Sequence, residues 1–288
     1  MKPRAFTYHR PRSYGEVTEV LRTHGADARI LAGGQGLLPL LNMRSAHADH
    51  LIDINWLTDA ERVRVSGDLL AFGPLVRLRA VERSPEVQEH APLIDEAVRI
   101  TGNPTVRNRA TLCGNVAYAN PASQLSAALL AMDGEVRALS HAGDRSLPLR
   151  SFFAGPFAHA LAPDEWVVEL RVRRRVPGAG FGLANVARQG TPIVTAAVTM
   201  EVTDDIISRL AIAVSGAARA AYRAGHAERA LIGEQPTPAA IRAAAALAVI
   251  DDAVSDVNAS AGYRRHIAEV LVRRSLQTAV ERAGRTRQ

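Results

Sequence analysis

A glycine turn between two apolar stretches decides the fold, and it reads Leu31-Ala32-Gly33-Gly34-Gln35-Gly36-Leu37-Leu38-Pro39. A short strand is predicted over 28–32, and the apolar run around Pro39 suits a first helical turn. Glycines at such a junction let consecutive backbone N–H groups point into one concavity, where a phosphate oxygen fits. The segment matches neither GxGxxG nor GxxxxGK[ST]. Alone, it indicates an ordinary tight turn more strongly than a phosphate-binding loop.

A second candidate loop follows at residues 101–125, which read TGNPTVRNRATLCGNVAYANPASQL. Small residues, amides and hydroxyls crowd this stretch, and it shows little apolar periodicity. Such a composition suits a loop wrapped around a polar ligand. This segment is therefore a candidate for a second loop that binds a phosphate or a ribose. The same composition suits a surface cluster of turns equally well.

The amino-acid composition excludes several kinds of functional site. The single cysteine, Cys113, excludes an internal disulfide and an iron–sulfur cluster held by this chain alone. The nine histidines are scattered and form no HExxH or similar pattern, so we predict no metal site. The net charge is +6, but the arginines alternate with acidic residues along the chain. We therefore predict no nucleic-acid partner, and a basic binding module remains an alternative that rests on charge alone.

The chain has features of a globular cytoplasmic protein. Its first residues lack the apolar core of a signal peptide, and no window offers the roughly 20 apolar residues of a membrane span. We expect a cytoplasmic location and no membrane association.

Local patterns predict an α+β fold. Ser13 and Glu16 form a capping-box pattern, residues 63–72 a hairpin, and residues 84–98 one helix. After a strand over 166–172, the run Pro177-Gly178-Ala179-Gly180 indicates a domain boundary, which gives domains 1–176 (subdomains about 1–57 and 58–176) and 177–288. Strands over 194–202 and 206–215 precede helices over 218–231, 238–249 and 261–283. Strands followed by grouped helices favour α+β over a doubly wound parallel sheet.

The two segments together resemble the FAD-binding loops of the molybdenum hydroxylase medium subunit, the flavin subunit of the carbon monoxide and xanthine dehydrogenase family. That family typically reads AGG-x-S-LLP in the first loop and N-R-GTIGG-N-x-A-x-ADPASD in the second. The resemblance continues with FTYHRP at 6–11, FFAG at 152–155, ASAGYRR at 259–265 and VLVRRSL at 270–276. It thus covers nearly the whole chain, in order.

The resemblance implies a two-part FAD-binding domain of the molybdopterin dehydrogenase type, followed by an α+β domain with a small antiparallel sheet and helices. It implies an FAD-dependent oxidoreductase subunit that passes electrons from molybdenum-cofactor and iron–sulfur subunits to an acceptor. The flavin performs the redox chemistry, so no catalytic acid, base or nucleophile is predicted. The alternative is a stand-alone FAD-binding homologue that acts on a small organic substrate.

The resemblance also implies which residues contact FAD: Leu31, Ala32, Gly33, Gly34, Gln35, Gly36, Leu37, Gly102, Thr111, Cys113, Gly114, Asn115, Asn120, Gln124 and Leu161. Several positions depart from the family pattern. Gly36 replaces a serine, Cys113 replaces a glycine, and Asn120 and Gln124 replace aspartates that bond cofactor hydroxyls. Asn185 and Pro192 depart from it as well. For Cys113, a small buried residue and a reactive thiol are both open, and the buried residue is favoured.

Overall fold

The first layer of the protein is a small parallel sheet. A computed structural model describes residues 2–285 of the chain. Its first elements are β1 (Thr7–His9), α1 (Tyr14–His24), β2 (Ala28–Leu31), α2 (Leu37–Asn42) and β3 (His50–Asp53). The strands lie in the order β1-β3-β2, and both pairings are parallel. The glycine turn therefore leaves the carboxyl end of an edge strand and enters α2, as predicted.

A five-stranded antiparallel sheet with helices forms the middle of the chain. Its elements are β4 (Val63–Ser66), β5 (Leu69–Phe72), α3 (Leu78–Arg83), α4 (Pro85–His90), α5 (Pro92–Arg99), α6 (Pro104–Arg109), α7 (Leu112–Tyr118), α8 (Gln124–Ala131), β6 (Glu135–Ser140), β7 (Gly143–Pro148), α9 (Leu149–Phe152), β8 (Phe153–Gly155), β9 (Ala158–His159) and β10 (Trp166–Arg173). The strand order is β4-β5-β10-β6-β7, and β8 pairs with β9. The central strand β10 thus closes this sheet from the far end of the segment.

The last third packs long helices on an antiparallel sheet. It contains β11 (Gly180–Arg188), β12 (Thr191–Thr203), β13 (Ile206–Ser215), β14 (Tyr222–Arg223), α10 (Gly225–Leu231), α11 (Pro238–Leu247) and α12 (Ala261–Arg285). The strands follow one another in sequence order. Ala197 and Ala213 of this sheet join the same buried cluster as α8, so the two parts of the chain share a core. The α+β fold class is confirmed.

Several predicted elements differ from the structure. The predicted helix over 84–98 is two helices, because Ala91 leaves helical geometry (φ −143°, ψ 51°) and Pro92 starts α5. Proline disfavours helical geometry in the residue before it and cannot donate to the preceding turn. The predicted helix over 218–231 begins only at Gly225, since residues 222–223 pair with β13 as β14. Strand β11 was not predicted from the sequence at all.

The segment over 101–125 is mostly helical and not an open loop. The Asn103 carboxamide caps α6 by accepting from the N–H of Val106 at 2.9 Å, and the Thr111 hydroxyl caps α7 by accepting from Gly114 at 3.0 Å. Helices of six and seven residues are too short to show a clear apolar period. The capping box at α1 is also only half formed, because Glu16 accepts from the N–H of Arg12 and Ser13 alone caps the helix.

Three histidines that are far apart in sequence meet in the fold. His9, His24 and His50 lie at the ends of β1, α1 and the start of β3, and one ligand atom of each lies within 4.8 Å of the others. These three histidines are scattered in the sequence but lie together in the fold, a proximity that the sequence pattern did not show. Among residues 2–285, no helix combines the length and the apolar character needed to cross a bilayer.

Candidate functional site

The two glycine-containing segments are in direct contact. A Cβ atom built on Gly33 would lie 2.4 Å from the carbonyl oxygen of Arg109 and 2.7 Å from Cα of Ala110. Both atoms belong to the backbone, so neither can rotate away as a side chain does. The first turn therefore approaches the second segment at a distance that only glycine permits.

A hydrogen-bonded strap holds the two segments together. The Asn55 amide donates to the carbonyl of Ala32 at 2.9 Å, and Arg77 donates to the Asn55 carboxamide oxygen at 2.5 Å. The same guanidinium donates to the carbonyl of Arg109 at 2.6 Å. Because Arg77 carries its donors in a rigid planar fork, it sets the spacing between the segments. Neither Asn55 nor Arg77 was predicted from the sequence, since neither lies in a glycine-containing motif.

A cavity of about 690 Å³ lies where the segments meet. Its volume lies within the range of small-molecule and cofactor sites. Most of the predicted site residues line it: Ala32, Gly33, Gly34, Gln35, Gly36, Leu37, Thr111, Cys113, Gly114, Asn115, Asn120 and Leu161. The structure thus brings together residues from both segments and from the middle of the chain.

Three predicted site residues lie outside this lining. Leu31 packs in a small cluster with Leu41. Gly102 adopts φ +59°, and its carbonyl accepts from Arg107. Gln124 is buried at the start of α8 and donates to the carbonyl of Ile100 at 3.2 Å. These three residues do not line the cavity, and their contact with the cofactor stays a prediction.

Two segments of the chain match known domain families. Residues 4–173 match the FAD binding domain in molybdopterin dehydrogenase, and residues 181–279 match the CO dehydrogenase flavoprotein C-terminal domain. The chain belongs to the molybdopterin dehydrogenase FAD-binding family. The predicted family, fold class and FAD cofactor and the predicted type of FAD-dependent oxidoreductase subunit are confirmed.

Members of the family align with this chain from end to end. The carbon monoxide dehydrogenase medium chain of Hydrogenophaga pseudoflava is 33% identical over 99% of this chain and 100% of its own length. The nicotine 6-hydroxylase medium subunit of Paenarthrobacter nicotinovorans is 34% identical, with the same coverage. A solved structure of the Hydrogenophaga carbon monoxide dehydrogenase, lacking the Mo-pyranopterin moiety, has a chain that superimposes with a TM-score of 0.95 at 34% identity, over 98% of this chain and 99% of that chain.

The cavity residues of this family member fit an FAD molecule. Gly33 and Gly34 contribute backbone without side chains to the lining, which suits a diphosphate. Leu161 and Trp166 contribute apolar surface to the same lining, which suits an aromatic ring system. When bound, the flavin supplies the redox chemistry, and the chain supplies binding, orientation and electrostatics.

Two amides in the second segment are already engaged with protein groups. The Asn120 side-chain oxygen accepts from the N–H of Ala122 at 3.0 Å, which makes a local Asx turn. The Asn115 side-chain oxygen accepts from the Ser123 hydroxyl at 2.7 Å. In each case the oxygen faces the protein, so the NH₂ group is the donor available to a ligand hydroxyl. A carboxylate at position 120 offers no such donor.

Cys113 belongs to the wall of the cavity and not to its chemistry. Its side chain is 2% exposed, and its thiol lies 3.5 Å from the carbonyl oxygen of Gly73. Burial raises the pKa of the Cys113 thiol, and the charge of Glu169 raises it further. The thiolate is the nucleophilic form, so this cysteine is inert in the folded protein. Of the two interpretations of Cys113, the structure supports the buried residue.

Sequence reasoning missed an aromatic wall that explains one departure from the family pattern. Tyr118 and Phe157 both line the cavity, with ring centroids 5.1 Å apart. A Cβ atom on Gly36 would lie 2.9 Å from the Tyr118 ring. The glycine at position 36 therefore accommodates Tyr118, where the family pattern has a serine. The sequence could have shown this relation only if positions 36 and 118 had been considered together.

A basic end of the cavity was also missed. Arg29 lines it and donates to the carbonyl of Ala28 at 2.8 Å. His159 lies in the same lining, where burial lowers its pKa and the charge of Arg29 lowers it further. The Glu165 carboxylate in the same lining is paired with Arg145, so the Arg29 guanidinium is the charged group here that can attract an anionic part of a ligand.

Proposed function

We propose that this chain is the flavin subunit of a molybdenum hydroxylase complex, in which FAD takes electrons from an iron–sulfur subunit and passes them to an acceptor. The observation that supports this function best is the convergence of two glycine-containing segments on one cavity, in a chain that aligns from end to end with medium subunits. A molybdenum-cofactor subunit then oxidises the small-molecule substrate. The lone buried cysteine requires that any iron–sulfur cluster belong to a partner.

In this proposal, the backbone N–H groups of residues 32–36 bind the FAD diphosphate. Residues 111–115 line the site beside it, and their N–H groups at 112, 114 and 115 are already bonded within the protein. Asn115 and Asn120 donate their NH₂ groups to cofactor hydroxyls, and Leu161 packs on the flavin ring. Arg29 adds a positive charge near the diphosphate. No side chain acts as an acid, base or nucleophile, because electron transfer through the flavin needs only a positioned and insulated cofactor.

We further propose a domain division between residues 176 and 177, with FAD held by the first domain and its two subdomains, about 1–57 and 58–176. Family matches that end at residue 173 and resume at 181 support it. We also propose a cytoplasmic location. A free buried thiol is the form that a reducing compartment maintains. Cell fractionation of the native host tests this location.

Co-purification from the native host tests the proposed function. The chain, carrying an affinity tag without histidines, should co-purify with two further polypeptides, and the complex should contain FAD, iron and molybdenum. Its flavin absorption should bleach with dithionite and return in air. Isolation as a homogeneous FAD protein without iron or molybdenum would overturn the proposal. Bleaching of that lone protein by a small organic molecule would favour the stand-alone homologue.

A matched pair of variants tests the residue assignments. Arg77→Gln removes the strap between the glycine segments. Arg79→Gln removes an arginine from helix α3, which begins directly after Arg77, and this arginine pairs with Glu82 on the same helix. We expect Arg77→Gln to lower the FAD content of the purified chain several-fold, and Arg79→Gln to leave it unchanged. Equal FAD content in both variants would contradict the assignment of the cavity.

A further inference from the structure

Three imidazole rings meet on the small parallel sheet, away from the glycine turn. His9 Nε2 lies 2.9 Å from His50 Nδ1, so one ring donates to the other. The His24 and His50 rings stack with centroids 3.5 Å apart, and His9 and His24 are 5.6 Å apart. All three side chains are half-buried, so solvent ions reach them.

The fold holds these histidines together from three different elements. Thr7 of β1 pairs with His50 of β3, so His9, two residues further along β1, lies diagonally beside His50. Helix α1 ends at His24, and Gly25 closes it with φ +48° and a bond to the carbonyl of Leu21. The helix end therefore places the third ring over the sheet. Backbone pairing and a helix cap set this arrangement independently of any bound ion.

The ligand atoms are close to metal-binding geometry. One nitrogen of each ring lies within 4.8 Å of the other two. Zinc–nitrogen bonds of about 2.0–2.1 Å in a tetrahedron place ligand nitrogens roughly 3.3 Å apart. Metal binding requires the stacked His24 and His50 rings to turn about their side-chain bonds, so that their in-plane lone pairs converge on the ion. Three protein ligands leave a fourth position for water or another ligand.

The three rings offer the donor chemistry that a transition metal needs. A neutral imidazole coordinates a metal through the lone pair of its unprotonated ring nitrogen. A shared divalent ion would take the place of the hydrogen bond between His9 and His50 and would receive one lone pair from each of the three rings.

We propose that His9, His24 and His50 bind one divalent transition metal, with Zn²⁺ as the matching ion, and that the metal clips β1 and the end of α1 to β3. Imidazole ligands suit zinc among the common cellular metals. None of the three histidines lines the FAD cavity, although the cavity extends along β2 as far as Ala28. His50 pairs with Ala28 at one end of β2, and the turn follows Leu31 at the other, roughly 10 Å away by strand geometry.

The test uses the full chain loaded with FAD, without a polyhistidine tag and stripped of metal with EDTA. Zn²⁺ is titrated by calorimetry, and thermal unfolding is followed with and without Zn²⁺. We expect one equivalent per chain at pH 7.5, a Tm raised by the metal, and loss of binding near pH 5.5 as protons compete for the rings. His24→Gln and His50→Gln should each weaken binding at least tenfold and abolish the Tm shift.

The matched control is His141→Gln, which removes an exposed histidine from the β6–β7 turn and should bind Zn²⁺ as the wild type does. Equal binding by all four proteins would assign the affinity to surface histidines and overturn the proposal, as would no binding by the wild type. If the His24 and His50 variants lose the circular dichroism spectrum of the folded protein, the test is Co²⁺ binding to the wild type, followed by absorption. A tetrahedral cobalt band at 550–650 nm that EDTA removes supports the site, and its absence refutes it.

Discussion

Gly33→Ala tests the contact between the two glycine-containing segments. The added Cβ would lie 2.4 Å from the Arg109 carbonyl oxygen, and Cβ atoms essentially never approach another heavy atom closer than 3.0 Å. The segments must therefore separate by at least about 0.6 Å, the difference between these distances. Forcing extra atoms into packed structure costs about 1–3 kcal/mol.

This cost should appear in FAD affinity. The empty protein relaxes by letting the segments move apart, whereas FAD binding requires both segments to close on one diphosphate. FAD binding must then push the added Cβ back against the Arg109 carbonyl oxygen, and this strain weakens binding. We therefore expect the FAD Kd to rise about 5- to 150-fold, which corresponds to 1–3 kcal/mol. Quenching of flavin fluorescence on titration into apoprotein measures this Kd, and the flavin-to-protein absorbance ratio after gel filtration provides an independent check.

Gly15→Ala is the matched control. It makes the same chemical change in α1, where no heavy atom lies within 4 Å of the added Cβ. We expect an unchanged Kd for FAD and a slightly higher Tm, since alanine is the better helix former by about 1 kcal/mol. A Kd for Gly33→Ala within twofold of the wild type would refute the argument that these segments close together on FAD.

Three further predictions concern buried and charged groups. Cys113 should resist a thiol-specific disulfide reagent at pH 8 until the chain is unfolded, because burial raises the pKa of its thiol; labelling at the rate of a free thiol would contradict this. Arg145 forms a two-bonded ion pair with Glu165 at 2.6 and 2.8 Å, which lowers the pKa of Glu165. That stabilisation is present above the unfolded-state pKa and is lost as the pH falls through the lowered folded-state value. Arg145→Gln should therefore lower the free energy of urea unfolding at pH 7 and match the wild type in acid, and a difference that does not change with pH would argue against the pair. Arg264 is 2% exposed and donates to two buried backbone carbonyls at 2.8 and 2.6 Å. Arg264→Met should cost about 3 kcal/mol in urea unfolding, since those carbonyls lose their donors, whereas exposed Arg265→Met should cost under 0.5 kcal/mol; equal costs would refute the role of Arg264.

Sequence patterns correctly predicted those helices and strands that neighbouring residues in the chain determine. Glycines after β2 indicated the turn into α2, and strands β12 and β13 followed from their apolar runs. Helix α5 was predicted as part of one longer helix. The apolar pattern continues across residue 91, whereas Pro92 forces Ala91 out of helical geometry and so separates α4 from α5. Short helices such as α6 and α7 were missed because their side-chain caps indicate a helix more clearly than their apolar periodicity does.

The site was predictable where it depends on residue type at a fixed spacing. Gly33 and Gly114 were found in this way, through the resemblance of both segments to a family pattern. Gln124 matches the pattern but does not line the cavity, because a match identifies a position in the chain and not the direction of its side chain. Arg77 and Asn55 were missed because their role exists only once two distant segments lie side by side.

By itself, the sequence determined the family, the cofactor, the α+β class and the need for partner subunits to carry any iron–sulfur cluster. These follow from residue types and their order, which remain the same in any conformation. Only the tertiary structure decided that Gly36 makes room for Tyr118, that Cys113 is inert and that His9, His24 and His50 meet. Such properties depend on distances between residues that are remote in the chain, and burial and strand register set those distances.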